Sequence, residues 1–295
     1  MSLDGKVLFG RDYSVVVAPA GSVFGLDVSE LRISFKAKKT TKSEPNTCQV
    51  KIYNLAESSR SILEGSQKLI LRLEAGYVDT GTTGIFLGQV RRAYTQAEGP
   101  DIVTTITTGD SAKEIQEARL QMSVGPGVPA TTVVSALVTA IGCGTGNLPT
   151  VLAGLAAKGA TSMFGAFGSA VSGNAARILT DVLRSAGYEW SIQDGSFQGL
   201  PINQPLVQTA VQLSPDTGLI GSPAVDFSAS SKTKLGGQTV KAKCLIIPGL
   251  APGRLVVMAS KFVTGGFRIE EVEFEGDTYA DPWYATLTLR ALSTS

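Results

Sequence analysis

No histidine occurs anywhere in the 295 residues. That absence removes the Ser-His-Asp and Cys-His nucleophile arrangements, the usual zinc sites and the commonest general base. Charge is scarce too: 17% of residues are charged, against the roughly 25% of an ordinary soluble protein. The 26 Lys and Arg almost cancel the 25 Asp and Glu. No net field is left to hold nucleic acid or an anionic membrane surface at long range, so no specific nucleic-acid binding is expected. The three cysteines, Cys48, Cys143 and Cys244, are odd in number and never in a CxxC spacing, which excludes a disulfide framework and a thiolate metal site. They read as buried apolar residues of a reducing compartment, and neither metal nor cofactor is expected.

Long apolar runs are missing as well. Residues 120–157 carry no charge, but Gly125, Pro126, Gly127, Pro129, Gly142, Gly144, Gly146 and Pro149 interrupt them. A continuous span of about 20 apolar residues, which a membrane helix needs, does not exist. The first residues, MSLDGKVLFGRD, lack a basic segment followed by an apolar stretch and a small-residue cleavage site, so assembly in the cytoplasm is the expectation.

Glycine, by contrast, is plentiful at 33 residues, and serine and threonine are abundant. A surface rich in small polar residues and poor in charge suits contact with other subunits. In the first third, Leu31, Ile33, Phe35 and Ala37 alternate with Arg32, Ser34, Lys36 and Lys38. Cys48, Val50 and Ile52 alternate with Gln49, Lys51 and Tyr53. Period-two alternation gives each strand one face for a core and one for water. With further strands at 12–18, 68–75, 85–93 and 101–108, residues 1–110 read as a small antiparallel β-barrel domain. A short helix over 54–65, capped by Asn54 and stopped at Gly65, is expected to plug one end of it.

The period then changes. Val133, Val134, Leu137, Val138 and Ile141 share one helical face after Pro129, and Ile178, Leu179, Val182, Leu183 and Ala186 share another between Asn174 and Gly187. Residues 111–188 are therefore a helical segment, with a Gly/Ala-rich insertion at 142–173 that reads as a loop ordered against a neighbouring subunit. The Asp194-Gly195 pair marks a tight hairpin. Strands follow at 206–213, 238–247, 254–260, 267–275 and 283–292, making 189–295 a C-terminal β domain. The β, α, β order predicts an α+β fold, mainly β, with two barrel-like domains flanking a helical segment.

Gly142-Cys-Gly-Thr-Gly146 follows a helix and lacks the lysine of a phosphate-cradling loop, so it reads as a turn. Glu270, Glu271, Glu273, Glu275 and Asp277 form the one acidic cluster able to supply a glycosidase pair. On a strand, however, Glu271, Glu273 and Glu275 simply share a face that meets water or another subunit. The alternation slips at Glu270-Glu271, which predicts a bulge. Trp190 and Trp283 read as core anchors. No catalytic, cofactor-binding or metal-ligating residue is assigned, and the chain is expected not to be an enzyme.

Several segments together resemble the phage baseplate hub family. They are Trp190-Ser-Ile-Gln-Asp-Gly-Ser-Phe197, residues 213–223, Leu245-Ile-Ile-Pro-Gly-Leu-Ala-Pro-Gly253 and Phe267 through Arg290, with Asn46–Leu55, Leu71–Tyr77 and Ile85–Val90 earlier in the chain. The likeness covers roughly residues 10–120 and 175–292 and leaves 142–173 unmatched. The resemblance implies a homotrimer with two similar barrels per subunit, a ring of six that adapts a sixfold tail tube to a threefold spike. It implies a channel for tape-measure protein and DNA. It also implies the spike, the tail tube or its initiator, the tape measure and the surrounding baseplate wedge proteins as partners, in the tail baseplate of a virion. A tube-initiator or tail-tip protein of a non-contractile phage, and a hub with cell-wall hydrolase activity, are the alternatives.

Overall fold

The computed structural model describes residues 2–3, 6–22, 25–65, 68–109, 112–158, 169–206, 208–226 and 239–292. The first third holds β1 (Ser2–Leu3), β2 (Lys6–Val7), β3 (Arg11–Pro19), β4 (Leu26–Asp27), β5 (Ile33–Thr40), β6 (Thr47–Tyr53), α1 (Glu57–Glu64), β7 (Leu69–Tyr77), β8 (Gly81–Glu98) and β9 (Asp101–Gly109). The middle holds α2 (Ala112–Glu117), β10 (Arg119–Val124), α3 (Ala130–Ile141), α4 (Leu148–Ala157), β11 (Ser169–Asn174), α5 (Ala175–Ser185), β12 (Tyr188–Gln193) and β13 (Ser196–Pro201). The last third holds β14 (Val211–Leu213), β15 (Leu219–Asp226), β16 (Thr239–Cys244), β17 (Leu255–Ala259), β18 (Thr264–Asp277) and β19 (Trp283–Ala291). The class is α+β and mainly β, as the alternation predicts.

Packing divides the chain into two units: Met1–Thr40, Thr47–Gly109 and Asn203–Ser295 form one, and Thr41–Asn46 with Asp110–Ile202 the other. The first unit is built on a single 13-stranded sheet whose main path runs β15-β16-β19-β18-β5-β6-β9-β8-β7-β3-β4. Its apolar face carries Ile33, Phe35 and Ala37 from β5, Cys48, Val50 and Ile52 from β6, Val272 and Phe274 from β18, and Trp283, Ala285, Leu287 and Leu289 from β19, all buried in one core. Trp283 meets Phe35 edge-on at 5.5 Å and donates its indole N–H to the Gly76 carbonyl. It thereby ties C-terminal strands to N-terminal ones.

This arrangement differs from two barrels at the ends of the chain. β5 and β18 pair antiparallel from Glu271 opposite Thr40 to Asp277 opposite Ser34, so the sheet is continuous and not closed. Alternation tells which residues of a strand face inward, but it is silent on which edge a strand finds. The free edge of β5 is satisfied by a strand from the far end of the chain. The boundaries expected at 110 and 188 therefore enclose much of the second unit, while the strands on either side of them share the first.

The predicted bulge is present, as the β18–β19 register shifts between Ile269 and Glu271. Asn54 does not cap the short helix. α1 begins at Glu57, and Asn54 lies at φ +57°, exchanging side-chain hydrogen bonds with Asp101 and the Ile102 amide. A polar turn partner on β9 has outcompeted the cap.

The second unit has its own core around α3 and α5, which present Val133, Val134, Leu137, Leu179 and Leu183 inward. Asn174 caps α5 by accepting from the Arg177 amide at 2.9 Å, and Gly142 ends α3 in the left-handed conformation. Asp194 and Gly195 take φ of +50° and +79° between β12 and β13, the backbone a two-residue hairpin demands. Trp190 is buried against Phe197 and donates to the Thr180 hydroxyl at 2.9 Å. Within 142–173 the expected loop contains α4 and most of β11, and residues 159–168 lie outside the described residues. α4 is preceded by Asn147, whose side-chain amide exchanges hydrogen bonds with the Gly199 backbone of β13. Gly146 is required here because a Cβ would lie 1.8 Å from the Phe197 carbonyl oxygen.

Candidate functional site: the polar face of the sheet

The face of the sheet opposite the core is continuous across seven strands, from β16 to β8. Reading outward from β16, directly opposed residues place Lys241 beside Thr288 and Lys243 beside Thr286. These adjoin Glu271 and Glu273 on β18, which adjoin Thr40 and Lys38 on β5. Lys36 then faces Gln49, which faces Thr107 and, beyond it, Arg92. Lys51 lies beside Thr105, which faces Tyr94. The surface is thus threonine-rich, with charges in paired rows.

The acidic cluster seen in the sequence resolves into three different roles. Glu271, Glu273 and Glu275 form a ladder with β5: Lys38 Nζ lies 3.0 Å from Glu271, and Lys36 Nζ lies 2.6 Å from Glu273 and 2.8 Å from Glu275. The Lys36 ammonium holds the Glu275 carboxyl below the usual carboxylate range, helped by the Tyr284 hydroxyl. Glu270, in the bulge, turns away from this row and binds Arg268, whose side chain is fully buried, at 2.5 Å, and Arg290 at 3.2 Å. For Asp277, burial pushes the carboxyl up. The Tyr279 amide, the Arg32 guanidinium at 3.1 Å and the Ala280 amide outweigh it and bring the group below its usual value.

Further along the face, Lys51 pairs with Glu98 at 3.0 Å. The lysine partners were not legible as partners, because the seam that brings β5 to β18 is invisible in the sequence. What could be read was that Lys36 and Lys38 share a face, and so do the glutamates. Trp190 and Trp283 are core anchors, as predicted. Cys48 and Cys244 are buried and free, with burial pushing each thiol up to about 12. Among the described residues no group of three potential metal ligands gathers, and no helix is long and apolar enough to cross a membrane.

Such a face answers three glutamates with two lysines, Lys38 meeting Glu271 and Lys36 meeting both Glu273 and Glu275. It offers hydroxyls and ion pairs to whatever lies against it.

Solved structures share this architecture over nearly the whole chain. A tail protein from Neisseria meningitidis MC58 superposes with a TM-score of 0.63 at 10% identity, covering 95% of this chain and 96% of that one. The 43 kDa tail protein of prophage MuSo2 from Shewanella oneidensis gives 0.62 at 7% identity, with 95% and 97% covered. The fold is that of phage tail proteins. It extends to the E. coli c3393 protein, described as a component of the type VI secretion system with structural similarity to T4 bacteriophage tail proteins gp27 and gp5 (TM-score 0.57, 10% identity, 94% of this chain and 77% of that one). No family model matches the sequence, and no curated protein matches it. The tail-protein fold therefore persists here where sequence similarity has almost vanished.

Proposed function

We propose that this chain is a non-enzymatic structural subunit of a phage tail or related injection particle, acting as a baseplate hub between a sixfold tube and a threefold spike. The observation that carries the reading is the continuous polar face of a tail-protein fold, with the core on its other side. From the β5–β18 seam, one sector runs β5-β6-β9-β8 and the other β18-β19-β16-β15. These are the four strands nearest the seam on each side, and on the β5 side the sheet continues through β7, β3 and β4. Three chains present six such sectors, so a homotrimer can meet a sixfold tube with near-repeated surfaces.

In this reading the polar face lines the channel. Lys36 and Lys38 would grip DNA phosphates if left bare, but Glu271, Glu273 and Glu275 neutralise them, so a passing polyanion or tape-measure protein finds little to hold it. The partners are further copies of this chain, the spike, the tube or its initiator, the tape measure and the baseplate wedges. The place is the tail baseplate of the virion, assembled in the host cytoplasm.

Native mass measurement of the purified chain alone and with its spike tests the proposal. A trimer supports it. A monomer in both samples or a hexamer overturns it, the hexamer in favour of a tube-initiator or tail-tip role. A peptidoglycan zymogram with Glu271→Gln and Glu275→Gln controls tests the absence of hydrolysis, and clearing by the wild-type chain that either variant loses would overturn it.

A further inference from the structure

A cleft of about 590 Å³ opens in the first unit between the start of β3, the end of β7 and strands β15, β16 and β19. That volume falls within the usual range of ligand-binding sites. Its floor is apolar, formed by Leu8, Ile220, Leu245 and Trp283. Around it stand three large apolar side chains that remain in water: Phe9 (80% exposed), Val78 (67%) and Tyr279 (74%). The Val78 amide is bonded to the Gly10 carbonyl, and Tyr279 precedes Ala280, whose carbonyl accepts from Arg11. Clustered exposed apolar groups around a concavity mark a surface that another molecule covers.

The polar groups of the cleft say what that molecule carries. Lys243 is exposed and, among the described residues, has no carboxylate within ion-pair distance; its ammonium rests 3.4 Å from the centroid of the Tyr284 ring. Arg11 pairs with Asp281 at 3.0 Å, but that carboxylate is 98% exposed, and such surface pairs are weak and exchangeable. Tyr77 is only 4% exposed and closes the inner wall of the cleft.

We propose that this cleft docks an extended segment of a partner protein in which a carboxylate side chain sits beside a bulky apolar one. The apolar group fills the floor over Trp283, and the carboxylate meets Lys243 and, by exchange with Asp281, Arg11. The cleft takes Lys243 from the β16 end of the polar face, but the proposal concerns binding to the chain itself and stands whatever the oligomeric state.

The test is fluorescence anisotropy on the full chain with labelled dodecapeptides carrying aspartate between leucine and phenylalanine, against the same peptides with asparagine. The aspartate peptide is expected to bind about tenfold more tightly, as a charge-assisted hydrogen bond provides. Lys243→Gln should erase that preference, and Lys261→Gln should leave both affinities unchanged. Lys243 is exposed, so its variant is expected to fold as the wild type does. Equal affinity of the two peptides, no binding of either, or an undiminished preference in Lys243→Gln overturns the proposal. Full displacement by a single-stranded dodecanucleotide overturns it too, in favour of a phosphate site.

Discussion

The two units of this protein are assembled from opposite kinds of contact. In the second, β12 and β13 pair across a two-residue turn, α4 is pinned to β13, and α5 runs directly into β12. In the first, the seam joins residues as far apart as Arg32 and Asp277, separated by 245 positions. Local pairings close small loops at little entropic cost, whereas the seam must close most of the chain before its contacts reward it. The second unit is therefore written mostly within residues 110–202, with 41–46 added, and the first depends on a match between distant edges.

The sharpest way to probe that contrast is to truncate the central tryptophan of each unit. Trp283→Ala should cost the first unit about 3–5 kcal/mol, and Trp190→Ala the second unit a similar amount. Hydrogen exchange should show protection lost in β5, β18 and β19 for the former and in α5 and β12 for the latter. Loss of protection in the same strands for both variants would mean the units do not unfold separately.

Next in size is Glu270→Ala, which leaves the fully buried guanidinium of Arg268 without its principal carboxylate. The expected cost is about 3 kcal/mol, measured as a lower urea midpoint, while Glu273→Ala on the exposed ladder should cost under about 1 kcal/mol. Equal effects would show that the acidic cluster is one feature after all.

Asn174→Ala removes the α5 cap and should destabilise the second unit by about 1 kcal/mol, leaving amide exchange in the seam unchanged.

The smallest effect concerns acid. Glu275 is held below its usual value of 4.5 by Lys36, so it stays ionised in the folded chain at a pH where the unfolded chain is already protonated. Its contribution is complete at neutral pH and is lost as the pH falls from about 4.5 through the lower folded value. Glu275→Gln should flatten the acid side of the stability profile of the first unit. A profile identical to wild type below pH 5 would contradict the ladder.

Much of this was legible beforehand. Val133, Leu137 and Ile141 announced α3, Asn174 announced the start of α5, Asp194-Gly195 announced its hairpin, and the slip at Glu270-Glu271 announced the bulge. Each rests on neighbours within a few residues, where periodicity and turn chemistry act directly. Asn54 misled because its side chain had a second option on β9, 47 positions away. Glu271, Glu273 and Glu275 read as one face meeting water or another subunit, because nothing adjacent in the chain reveals Lys36, Lys38 or Arg268.

By itself, then, the sequence determined most of the elements outside 142–173, their buried faces and the lack of any histidine, since these follow from residue type and short-range spacing. Only the tertiary structure decided that the two strand-rich ends share one sheet, that the glutamates at 271, 273 and 275 are answered by lysines, and that Glu270 serves a buried arginine instead. The physical reason is that a strand edge carries the same backbone donors and acceptors whatever its side chains. Which edges meet is settled by the packing of the whole chain and not by any segment of it.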